Sequence, residues 1–124
     1  MEKTTSYRDL LVWQKGMRLV EECHRVTASL PRSEEFGLKA QIRRAAISIP
    51  SNIAEGHTRH HGREYVQFLF IASGSEAELE RQVELAQRLK CLSMEEGKML
   101  SDSCEEVGKM LTGLRKALSR YQQT

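Results

Sequence analysis

Apolar residues recur at alternating steps of four and three over four long stretches of the chain, the spacing of helices that each bury one face. In the first stretch Val12, Gly16, Leu19, Cys23, Val26 and Leu30 form the stripe, widened by Trp13 and Val20, which predicts a helix from about Arg8 to Ser29 that Pro31 ends. In the second, Ser33 is the expected cap, Glu34 and Glu35 complement the positive helix end, and Leu38, Ile42, Ala45, Ala46, Ile49 and Ile53 stay in phase across Pro50. That phase predicts one proline-kinked helix; a break with a fresh helix near Pro50 is the alternative.

The third helix is expected from about Gly62 or Arg63 to Leu89. Between Tyr65 and Ala72 only Gln67 is strongly polar, a wider apolar band than one core-facing stripe needs, so a second buried face is expected. Ala72-Ser73-Gly74-Ser75 then strips the helix of bulk, as a close approach by another backbone would require. In the fourth, Ser93 and Glu96 form a capping box ahead of Leu100, Cys104, Val107, Leu111, Leu114, Leu118 and Tyr121. Four long helices with short connections fold back on one another, so the expected architecture is an all-α, antiparallel up-down-up-down four-helix bundle. With 124 residues, the chain makes one domain over 1–124, with short flexible ends at about 1–6 and 122–124.

Charge changes this picture only when divided along the chain. The net formal charge is +2, but residues 37–63 hold five Lys/Arg against the single acid Glu55, and three of the four histidines. A local basic excess points to an anionic partner such as RNA or DNA. Lys39, Arg43, Arg44, Arg59 and Arg63, with His57, His60 and His61, are therefore the candidate nucleic-acid contacts, and Glu55 the expected partner of Arg59 one turn away. Ser48 and Ser51 are expected to bond back to carbonyls that Pro50 disturbs, and Asn52 to do the same or to reach another helix. Gly56, Gly74 and Ser75 complete the set expected to serve the kink and close packing.

Catalytic and metal chemistry have little to stand on. The three histidines near the end of the second helix lack further ligands, and Glu21 and His24 make one Glu-x-x-His pair where a di-iron bundle needs two. Arg18 and His24 loosely resemble the spacing of helical ribonucleases, a minor alternative; no phosphate loop or nucleophile elbow is present. No metal or cofactor is expected. Cys23, Cys91 and Cys104 are odd in number and lack CxxC spacing, so reduced thiols are expected. No signal-like or membrane-spanning segment stands out, and the expected location is cytoplasmic.

Several stretches together carry a family resemblance: Leu11-Val12-Trp13-Gln14-Lys15, Gly37-Leu38 with Gln41-Ile42-Arg43-Arg44-Ala45-Ala46, and Ser48-Ile49-Pro50-Ser51-Asn52-Ile53-Ala54-Glu55-Gly56. Glu64-Tyr65, Phe68-Leu69 and Ala72 to Ser75 with Glu78 extend it into the third helix. Over about Tyr7 to Leu118 the chain resembles the bacterial four-helix bundle proteins also called 23S rRNA intervening-sequence proteins. It is also similar to the accessory proteins of diversity-generating retroelements. The resemblance implies a ring-like homopentamer without established catalysis, with nucleic acid or a reverse transcriptase as possible partners. This chain departs from the pattern at Glu76, where the family is more usually apolar, and at His57 to His61, where it varies.

Overall fold

Burial follows the four stripes. The structure is a computed structural model that describes residues 6–59 and 62–122, with side chains described through residue 120. His60 and His61, the chain ends 1–5 and 123–124, and the side chain of Tyr121 lie outside the described residues. Among the described residues are four α-helices, α1 (Leu11–Thr27), α2 (Leu38–Arg59), α3 (Gly62–Arg88) and α4 (Met94–Gln122), with short 3-10 turns at Tyr7–Asp9 and Arg32–Glu34 and no strand. Each helix packs on the next and α1 closes against α4, which makes an up-down-up-down bundle. Leu19, Ile42, Ile49, Ile53, Leu69, Leu79, Leu100 and Leu111 are fully buried at its centre.

The helix starts differ from the sequence pattern where local capping competes with periodicity. The first helix begins at Leu11 rather than Arg8, because Ser6 and Asp9 close a capping box around the Tyr7–Asp9 turn and Leu10 is extended. Ser33 does not cap α2; it lies in the Arg32–Glu34 turn. The Leu38 N–H instead donates to Glu34 Oε1 at 3.3 Å, a carboxylate cap that satisfies an orphan donor of the first turn. At α4 the expected Ser93 cap is present, its hydroxyl accepting from the Glu96 N–H at 3.0 Å. The α3 end turns on Lys90, at φ 63°, and the Cys91 N–H reaches back to the Ala86 carbonyl at 2.8 Å.

Across Pro50, α2 is unbroken, which removes the fresh-helix alternative. Pro50 is buried and sits opposite Gly16 of α1; a Cβ on Gly16 would lie 3.6 Å from both Pro50 Cβ and Ile49 Cγ2. That distance is ordinary van der Waals contact, so the ring packs against Gly16 without requiring a glycine there. Gly56 makes a closer approach, since a Cβ there would stand 2.9 Å from Phe68 Cβ, 3.0 Å from Tyr65 Cδ1 and 3.2 Å from the Tyr65 carbonyl oxygen. A backbone oxygen cannot swing aside. Gly56→Ala is therefore expected to cost about 1–3 kcal/mol in urea unfolding despite the better helix propensity of alanine, and unchanged stability would mean that the α2–α3 spacing is set elsewhere.

The broad α3 band is only partly covered. Leu69 and Ala72 are buried, while Phe70 and Ile71 remain about half exposed, at 53% and 49%. The Arg115 guanidinium of α4 lies 4.1 Å from the Phe70 ring centroid and covers one face of it. Among the described residues no helix is long and apolar enough to cross a membrane.

Candidate functional site

The basic segment folds into two groups rather than one patch. Lys39, Arg43 and Arg44 stand on the first turns of α2, whereas Arg59 and Arg63 flank the α2–α3 connection. Fifteen residues of helix separate Arg44 from Arg59, a distance of about 22 Å. Arg43 faces inward to α1: its Nε donates to Thr27 Oγ1 at 2.9 Å and its Nη2 to the His24 carbonyl at 2.9 Å. It complements the negative end of α1 and satisfies the His24 carbonyl, which lies in the last turn of that helix. A side chain expected to meet phosphate is thus held by the fold.

Lys39 pairs with Glu35 at 3.1 Å. Arg59 pairs with Glu55 at 3.0 Å, as its spacing predicts, lies 3.8 Å from Glu64, and stacks over Phe68 at 5.1 Å. The Arg59 pairs are exposed and of a kind that is weak, whereas the Lys39 side chain is only 15% exposed. His57 is half-buried and meets the Tyr65 ring edge-on at 5.8 Å. Arg44 and Arg63 are exposed and make no hydrogen bond or ion pair among the described residues. Arg44 borders an open α2–α3 groove of about 400 Å³ with Gln41, Ser48, Ser75 and Glu78.

The residues expected to serve the kink divide in the same way. Ser48 does not bond back to its own helix; its hydroxyl meets the Ser75 hydroxyl of α3 at 2.7 Å. Asn52 Nδ2 donates to the Ser48 carbonyl at 2.8 Å and the Ser48 hydroxyl at 3.0 Å, so this amide stays within α2 and steadies the bridge. Ser51 is exposed beside an apolar α1–α2 groove lined by Tyr7, Trp13, Met17 and Ile47. Among the described residues no heavy atom lies within 4 Å of where a Gly74 Cβ would be, so the close approach expected there is not made by them.

Other candidates are not assembled. Six residues of helix put Arg18 and His24 about 120° apart around α1. His24 Nδ1 donates to the Val20 carbonyl at 3.2 Å, and Arg18 lines the α1–α4 seam beside Glu22 and Ser103. Among the described residues no group of three or more His, Cys, Asp or Glu is placed to hold a metal ion. All three cysteines are free thiols, Cys23 and Cys104 buried and Cys91 half-buried. Burial, with the nearby Glu22 charge, pushes the Cys23 thiol up to about 12, which makes it a poor nucleophile.

One cluster lies outside the residues that charge and motif spacing single out. Glu76 of α3 is only 8% exposed and lines a groove of about 350 Å³ with Ser73, Glu80, Glu105, Gly108, Lys109 and Thr112. Burial, then hydrogen bonding to Glu80 and the charges of Glu80 and Glu105, push its carboxyl from 4.5 up to about 8. Glu76 Oε2 and Ser73 Oγ are buried without a hydrogen-bond partner among the described residues. A signal existed: Glu76 falls in phase with buried Leu69, Ala72, Leu79 and Val83, an acid in an apolar register.

These features define an all-helical bundle whose distinctive surfaces are a divided basic edge and an acidic groove. The chain belongs to the 23S rRNA-intervening sequence protein family, whose model matches residues 8–113. Among solved structures it is similar to a protein of unknown function from the S23 ribosomal protein family of Bacteroides thetaiotaomicron VPI-5482, with a TM-score of 0.80 and 24% identity over 86% of this chain and 99% of that one. At that identity the likeness shows the fold. No curated protein matches the chain.

Proposed function

We propose that the protein is a non-enzymatic, homo-oligomeric binding module that contacts RNA or DNA phosphates through Arg44 and Arg63, with Lys39, Arg59 and the histidines in support. The supporting observation is that these two arginines stand exposed and uncommitted among the described residues while Arg43 is locked into the fold. Two arginines make a weak site. A ring of copies, the pentamer that the family resemblance implies, multiplies such a site through avidity. The half-exposed Phe70 and Ile71 supply apolar surface suited to contact between copies.

The same apolar surface favours a second reading, a scaffold or accessory subunit that docks a polymerase or reverse transcriptase. Fluorescence anisotropy with labelled RNA and duplex DNA over a salt series separates the two, with oligomer mass checked by light scattering. Arg44→Glu/Arg63→Glu is expected to weaken binding more than tenfold and to lower the salt slope by about two. Absence of binding by the unaltered protein at low salt overturns the nucleic-acid reading and leaves the scaffold.

A further inference from the structure

The net charge of α4 conceals a division along the helix. From Val107 onward the chain carries Lys109, Arg115, Lys116 and Arg120 and no Asp or Glu, whereas Glu95, Glu96, Asp102, Glu105 and Glu106 crowd the first half of α4. Antiparallel packing lays the acid-free half alongside the start of α3. Arg63 and Phe70 are seven residues, or two turns, apart and so share one face of α3. That face is turned toward α4, because the Arg115 guanidinium lies 4.1 Å from the Phe70 ring centroid. Arg63 and Arg115 are thus about 10 Å apart along the bundle, and Arg120 falls between their levels. Arg63, Lys116 and Arg120 are exposed. Among the described residues neither they nor Arg115 make a hydrogen bond or an ion pair, and Glu64, the acid next to Arg63, lies 3.8 Å from Arg59.

Resting on the nucleic-acid reading above, we propose that Arg63 belongs with Arg115, Lys116 and Arg120 to one phosphate-binding surface at this end of α3 and α4. A nucleic-acid strand makes its main contact there, and Arg44 is a separate, weaker contact. Arg44 stands about 22 Å along α2 from Arg59 and shares its groove with the acid Glu78. The helix dipole accounts for a cation in the last turn of α4, where Arg120 stands, but its field fades within that turn and Arg115 and Lys116 lie before it. Stacking on Phe70 holds the Arg115 head in place before any phosphate arrives, so less side-chain freedom is lost on binding. Farther along the same seam Glu76, Glu80 and Glu105 line an acidic groove, which repels a phosphate chain and confines it to the end of the bundle.

Lys116→Gln/Arg120→Gln removes two exposed charges with little risk to folding. Arg32→Gln/Arg88→Gln removes the same charge at the opposite end of the bundle and serves as its control. Anisotropy of labelled single-stranded RNA and of labelled duplex DNA over a salt series compares both with the unaltered protein. The α4 variant is expected to bind about tenfold more weakly at low salt, with a salt slope lower by about two. The opposite-end variant, and Lys116→Arg/Arg120→Lys, which keeps the charge, are expected to bind as the unaltered protein does. Equal weakening by the two charge-removing variants, or undiminished binding by the α4 variant, overturns this surface while leaving the nucleic-acid reading in place. Absence of binding by the unaltered protein at low salt overturns both.

Discussion

Glu76→Gln is expected to be more stable than the unaltered protein at pH 9 and nearly equal to it at pH 5. The Glu76 carboxyl rises from 4.5 to about 8 on folding, so between those values the folded chain holds a proton that the unfolded chain has released. Stability therefore falls as pH rises through this window, is undiminished by Glu76 below it, and levels off above it. A tenfold change in proton affinity is worth about 1.4 kcal/mol, and solvent in the open groove screens part of the effect, so the difference at pH 9 is expected to be on the order of 3 kcal/mol. Urea unfolding of both proteins from pH 5 to pH 9 measures it. Parallel stability curves would show that the carboxyl ionises in the folded protein without penalty.

Arg43→Ala is expected to lose about 2–3 kcal/mol of stability while leaving nucleic-acid affinity per folded molecule unchanged. The guanidinium makes two hydrogen bonds to the end of α1, and charged hydrogen bonds of this kind are worth about 1.5–3 kcal/mol. Thr27 is fully buried and its hydroxyl donates a hydrogen bond to the Cys23 carbonyl at 2.6 Å, so without Arg43 its oxygen loses its donor. Arg43→Lys recovers only part of the loss, because one ammonium cannot reproduce a planar fork that reaches two acceptors. Chemical unfolding and anisotropy on the same samples separate stability from affinity. Normal stability with lost binding would return Arg43 to the phosphate surface and contradict its inward geometry.

Arg43 and Arg44 show why adjacent residues with the same chemistry part company. Neighbours on a helix point about 100° apart, so one reaches the end of α1 while the other faces the α2–α3 groove. Charge composition marked the segment, but it carries no information on which arginine finds a carbonyl in another helix. Ser48 and Gly74 follow the same logic. A hydroxyl that bonds its own helix in isolation finds Ser75 once α3 lies alongside, and a glycine in a small-residue run is left facing open space.

The helix count, their order and the buried faces were determined by the sequence itself, because a stripe such as Leu100, Cys104, Val107 and Leu111 is local information that repeats every turn. Family membership was legible for a related reason, since contiguous motifs such as the one around Pro50 survive as strings of residues. The unbroken path of α2 through Pro50 followed from its apolar phase, whereas the tertiary structure alone decided the Arg43 clamp, the Ser48–Ser75 bridge and the acid groove of Glu76, Glu80 and Glu105. Each depends on the register between helices. Periodicity says which face of a helix is buried, but the neighbour it meets, and hence the partners and proton affinity of each polar side chain, is set only when the faces interlock.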